Sequence, residues 1–261
     1  MIWTEASALL WTERAIAIAI VLQTLEFLQI RSTLRDDGVW RWSILRREHG
    51  ALPFLLRWTL AAVLPYRPFV ALLFARLACV TLWIAGQPHL VWFLLFSQVA
   101  ICVRFRGTFN GGSDYMTVLI LLSLCAAEHP LLMRAGLLYI AVQATLSYVI
   151  AGLVKLKEPA WRSGEAVRAF LGSTHYGAPA LVRRLAATPR SSRLLSAAVI
   201  GFECGFPLAL IDARVCLVVL VLGAGFHLTN AIVFGLNRFL FAWVAAYPAL
   251  FFCSQLLGSN T

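Results

Sequence analysis

Eight runs of mainly apolar residues, at 15–30, 69–85, 90–103, 115–127, 131–154, 194–211, 215–234 and 239–257, divide this sequence of 261 residues. Runs of that kind are compatible with few structures. In hydrocarbon each backbone N–H and C=O must be satisfied within the protein, which leaves helices and closed barrels, and a perpendicular helical span takes roughly 20 residues. Several of the runs are shorter, so one or two are expected to be partial spans. With 61% hydrophobic and 13% charged residues, the chain also lies well outside the composition of a soluble globule. The sequence therefore predicts an all-α integral membrane protein, a polytopic helical bundle of about eight transmembrane helices with interfacial helices.

The net charge of +10 does not point to nucleic acid, because most basic residues lie between apolar runs, where they anchor the chain and contact anionic lipid. Of the 22 lysines and arginines, 18 fall in alternate connections: 31–67, 104–114, 155–193 and Arg238. The opposite connections, near Gln87, Glu128 and Asp212, hold almost none. The positive-inside rule then places the Lys155 face in the cytoplasm and both termini outside. No short cleavable signal precedes the first run, which is expected to remain as a signal anchor. Cysteines 79, 102, 125, 204, 216 and 253 stand singly, mostly within apolar runs, as small buried hydrophobes. Their spacing gives no metal site, and no haem, flavin or nucleotide signature occurs.

Between the first two runs, residues 31–67 mix Trp40, Trp42 and Trp58 with seven arginines. The short apolar segment 52–64 reads as an interfacial amphipathic helix. The long polar connection 155–193 carries a helical-looking segment at 164–171, then a break at Tyr176-Gly-Ala-Pro179. No repeat or low-complexity linker interrupts the chain, which reads as one domain over 1–261.

The segment Tyr148-Val-Ile-Ala-Gly-Leu-Val-Lys-Leu-Lys-Glu-Pro-Ala-Trp161 closes the longest apolar helix on a lysine. Tyr148, Gly152 and Lys155 fall at i, i+4 and i+7, one stripe that could border a pocket. The same letters also describe a span closed by headgroup lysines and an interfacial tryptophan. In the seventh run Gly223, His227, Asn230 and Phe234 form a second stripe. Glu203, near the middle of the sixth run, is expected to meet His227 or Arg76, since an unpaired charge at that depth costs about 2.5–3.5 kcal/mol. Glu26 in the first run likewise requires a partner. The loop Arg104-Phe-Arg-Gly-Thr-Phe-Asn-Gly-Gly-Ser-Asp114 offers Asn110, Gly111, Gly112 and Asp114 as a headgroup or anion cradle, with Ser113 or Asp114 as a helix cap.

Taken together, Tyr148-x-Ile-Ala-Gly-x-x-Lys-Leu, Trp161, His227-x-x-Asn230, Phe234 and Phe239 resemble the HTTM domain, the membrane part of vitamin K-dependent gamma-carboxylase. The Asn110-Gly-Gly-Ser-Asp114 loop resembles bacterial HTTM proteins, and the similarity runs in motif order over about 67–248. The resemblance implies a multi-pass protein of the bacterial inner membrane and a membrane-embedded enzyme acting on or with a reduced quinone or lipid-like molecule. In the carboxylase the lysine matching Lys155 is the base that deprotonates reduced vitamin K; the resemblance makes Tyr148, Gly152, His227 and Asn230 substrate-binding residues. An amine in water is almost wholly protonated at neutral pH, and burial disfavours the charged form, so burial would suit a lysine base. Where carboxylases carry an Asn-His pair this chain has Gly112 and Ser113, and 261 residues leave no room for their large substrate-recognising domain. Carboxylation of protein glutamates is therefore not expected. The alternative, favoured by the missing histidine, is a non-catalytic membrane subunit that binds a peptide or protein partner in peptide maturation, export or immunity.

Overall fold

A computed structural model describes residues 3–105, 111–173 and 178–258 of the chain. Its helices are α1 (Glu5–Gln29), α2 (Trp42–Leu45), α3 (Phe54–Val63), α4 (Tyr66–Ile84), α5 (Leu90–Phe105), α6 (Gly111–Ala127) and α7 (Met133–Lys157). They continue as α8 (Pro159–Arg162), α9 (Glu165–Gly172), α10 (Ala180–Leu185), α11 (Pro189–Gly205), α12 (Ala213–Phe234), α13 (Asn237–Val244) and α14 (Tyr247–Gly258). Among the described residues there is no strand.

All eight apolar runs are helical. Six segments are long and apolar enough to cross a membrane: Glu5–Gln29, Tyr66–Ile84, Pro130–Lys157, Pro189–Leu210, Ala213–Phe234 and Asn237–Gly258. α5 and α6, of 16 and 17 residues, fall short of that length. The expected eight thus divides into six full-length candidates and two shorter helices.

Local chemistry sets the ends of these helices. Thr4 caps α1 by accepting from the Ser7 N–H at 3.2 Å, and Asp212 caps α12 by accepting from the N–H groups of Arg214 and Val215, the usual way to satisfy orphan donors. α12 stops at Gly235, whose φ of +69° is left-handed backbone that glycine adopts without strain. Pro248 cannot donate into a preceding turn, and the run 239–257 breaks into α13 and α14 just before it.

The main core is shared by α1, α6, α7, α12, α13 and α14, with Ile16, Ile20, Ile120, Leu137, Ala144 and Leu250 at its centre. A second core gathers Phe27, Leu34, Leu64, Phe69 and Phe105 beneath the segment joining α1 to α4. α3 contributes no buried residue; Phe54, Leu55 and Trp58 are exposed, as on a helix lying in an interface. The outer face of α12 carries Leu217, Val218, Val221, Leu222 and Ile232, each more than half exposed. Such an apolar flank suits contact with lipid.

A candidate ligand cavity between α7, α11 and α12

The sixth apolar helix, α11, crosses α7 closely, and the seventh, α12, packs closely on α14, because glycine clears the way for each contact. At Gly152 an added Cβ would lie 2.8 Å from the backbone nitrogen of Cys204 and 3.0 Å from Glu203 Cβ. At Gly223 it would lie 2.5 Å from the Tyr247 hydroxyl. Beside these contacts lies a cavity of about 640 Å³.

α7 supplies Tyr148, Ala151 and Lys155 to its wall, α11 supplies Leu195, Val199 and Glu203, and α12 supplies His227, Asn230 and Phe234. α13 closes one side with Phe239 and Trp243, while α9 and α10 close another with Phe170, Leu171 and Leu185. The wall is chiefly apolar, with few convergent polar groups, which is the usual make-up of a small-molecule site.

Two polar pairs stand in that wall. Lys155 Nζ donates to both Glu203 carboxylate oxygens at 2.7 Å, with side chains 18% and 4% exposed. The ammonium also lies 5.2 Å from the centre of the Trp161 ring, within range of a cation–π attraction. Two turns earlier on α7, the Tyr148 hydroxyl is 2.6 Å from His227 Nε2 and 3.4 Å from the Tyr247 hydroxyl. Tyr148 is stacked on Phe206 with ring centres 3.7 Å apart. The imidazole lies between Trp243 and Phe226, and its buried Nδ1 has no hydrogen-bond partner. Which of the two donates this hydrogen bond is set by the imidazole tautomer.

The two sequence stripes therefore converge, with corrections. At about 100° per residue, i+7 returns within about 20° of i, whereas i+4 stands about 40° to the other side. Tyr148 and Lys155 accordingly face the cavity, and Gly152 turns to the α11 contact. Glu203 meets neither His227 nor Arg76; its partner is Lys155.

The described part of the glycine loop, Gly111 to Asp114, does not line the cavity. Asn110 lies outside the described residues. Gly111 faces open space, while a Cβ on Gly112 would come within 2.9 Å of the Phe239 ring, so Gly112 packs behind the aromatic wall. α6 begins at Gly111, so Ser113 and Asp114 sit in its first turn instead of capping it. The buried Asp114 carboxylate accepts from Gln23 at 2.8 Å and from Arg238 at 3.2 Å. Glu26 finds its partners in Asn237 and in Arg238, whose Nε lies 3.0 Å away without the angle of a hydrogen bond.

The family model of the HTTM domain matches residues 127–255. This part of the chain is an HTTM domain. It contains every described residue that lines the cavity, while Glu26, Arg76 and Asp114 precede it. No curated protein and no solved structure matches the chain.

Sequence reasoning missed Trp243, Tyr247, Phe206 and the α9–α10 side of the HTTM cavity. Gly223 was the available signal for Tyr247, since a glycine on a polar stripe marks where a neighbour approaches closely. The pairing of Glu203 with Lys155 had a weaker signal, because 48 residues separate the two.

Proposed function

We propose that the protein is a membrane-embedded HTTM-type enzyme that acts on or with a quinol or other lipid-like molecule, with Lys155 as the base and His227 and Asn230 bordering the reacting group. The supporting observation is a single one: an apolar cavity of about 640 Å³ carries both Lys155 and His227 on its wall. A proton passing from Lys155 to Glu203 along the 2.7 Å contact leaves an amine with a free lone pair. That amine then takes a proton from a phenolic or similarly weak acid: the substrate O–H breaks, a new N–H forms, and the substrate keeps the electron pair. The whole chain, 1–261, acts as one unit in a bacterial inner membrane, with the Lys155 face in the cytoplasm.

Substitution of Lys155 tests the base. Arginine keeps the charge but does not release a proton near neutral pH. Lys155→Arg is expected to reach wild-type abundance in the membrane and to lose complementation of the native phenotype, by a factor of about 100 or more if proton transfer limits the rate. Lys157→Arg, at an exposed position outside the cavity, should complement fully. Full function in Lys155→Arg would reject the base.

One observation favours a second reading, that of a non-catalytic subunit binding a peptide or protein partner. A lysine held at two points by a buried carboxylate is also how a structural ion pair looks. Under that reading both lysine variants complement alike.

A further inference from the structure

Among the described residues that line the cavity, Lys155 is the one lysine or arginine and Glu203 the one carboxylate, and they face each other across 2.7 Å. We propose that Glu203 determines the charge of the ligand: by neutralising Lys155 it makes the cavity a site for an uncharged single-chain amphiphile bearing a hydroxyl, and closes it to anionic lipids such as fatty acids. The inference rests on the reading of this cavity as a ligand site and goes beyond it, since an apolar chamber beside a lysine would otherwise suit a long-chain carboxylate best.

The hydrogen-bond inventory supports the selection. An ammonium has three N–H donors, and two of them are committed to Glu203 Oε1 and Oε2. The third can donate to a neutral oxygen without disturbing the pair. A ligand carboxylate in the same place would stand against Glu203, which at only 4% side-chain exposure is poorly screened by solvent. Displacing Glu203 would leave a buried carboxylate unpaired, the costly outcome for any broken ion pair. The remaining polar groups are compatible with a neutral head. Tyr148, His227 and Asn230 lie on the same wall. Tyr148 is seven residues before Lys155, about 10 Å along the helix axis, so the two polar pairs are separated by a length of apolar wall.

The test uses two photoreactive probes with the same chain, a diazirine-bearing hexadecanol and a diazirine-bearing palmitate, added to the full-length protein in detergent at a pH where palmitate is ionised. Crosslinks to peptides of α7, α11 and α12 are quantified by mass spectrometry. In the wild type the alcohol should label these peptides about tenfold more than palmitate, and Glu203→Gln should raise palmitate labelling about tenfold while changing the alcohol by less than about twofold. Glu203→Asp, which keeps the carboxylate, should still reject palmitate. If Glu203→Gln does not accumulate, Lys155→Gln combined with Glu203→Gln gives an uncharged wall, expected to take the alcohol and reject palmitate. Equal labelling of the wild type by both probes overturns the charge selection and leaves the ligand cavity standing, as does palmitate labelling that Glu203→Gln leaves unchanged. No labelling of these peptides by either probe overturns both.

Discussion

Arg76 shows how a single buried charge is accommodated when no carboxylate touches it. Its Nε donates to Thr24, one terminal nitrogen to Leu94 O and Ser97, and the other to Gln23 and Gln98. A guanidinium has five N–H groups, so every donor is used, and the side chain is wholly buried. The counter-charge arrives through Gln23, whose amide donates to Asp114 at 2.8 Å. Lysine at this position would offer three donors from a point charge in place of a planar fork, leaving at least one buried side-chain acceptor without that donor, at about 1–3 kcal/mol. Arg76→Lys is therefore expected to lower the midpoint of thermal unfolding in detergent well below the wild type, and an unchanged midpoint would rule out the saturated cage. That an intramembrane charge needs partners was legible in the sequence for Arg76, Glu203 and Glu26. Which partners they would find was not, because Gln23, Thr24, Ser97 and Gln98 are ordinary polar residues whose spacing announces nothing until α1, α4 and α5 pack together.

Among the elements, the crossing of α7 and α11 fixes the site, since it holds Lys155 opposite Glu203. Both helices meet at Gly152, where an added Cβ would strike the Cys204 backbone nitrogen at 2.8 Å, and a backbone atom cannot swing aside as a side-chain tip can. Gly152→Ala should cost about 1–3 kcal/mol through overpacking, read as a lower unfolding midpoint. Gly201, on the same α11, has nothing within 4 Å of its added Cβ; Gly201→Ala should hold or raise the midpoint by the helix preference of alanine, about 0.5–1 kcal/mol. Equal effects of the two changes would remove the close crossing from the account. Apolar runs of this length announce helices plainly, and the eight runs did so here. Their ends were less legible. α11 starts at Pro189 behind a Thr188 cap, five residues before its run, because a cap and a first-turn proline need no hydrophobicity. The α9 and α10 side of the cavity was hidden for another reason: a short amphipathic helix over a polar connection shows which face is apolar, not what that face covers.

At the scale of the molecule, α13 joins two systems back to back. Phe239 and Trp243 face the cavity, while Arg238, 5% exposed, holds Asp114 and Glu26 on the other side. The HTTM region at 127–255 thereby rests on helices that precede it in the chain. Charge sets the expectation for how the assembly sits in a membrane. The connection 155–193 holds eight lysines and arginines, next to the Lys155 end of α7, and the amphipathic α9 and α10 close the cavity on that side. Anionic lipid and the membrane potential both favour such a face in the cytoplasm. Reporter fusions placed after Arg106 and after Arg190 are therefore both expected to report cytoplasm, with a fusion after Glu128 reporting the outside. The Glu128 fusion matters because α6 is one of the two short helices: if it turns back within the bilayer, Glu128 and Arg106 will report the same side. An outside signal at Arg190 would reject the charge argument directly and would place the Lys155–Glu203 end of the cavity, with its basic rim, on the outer face.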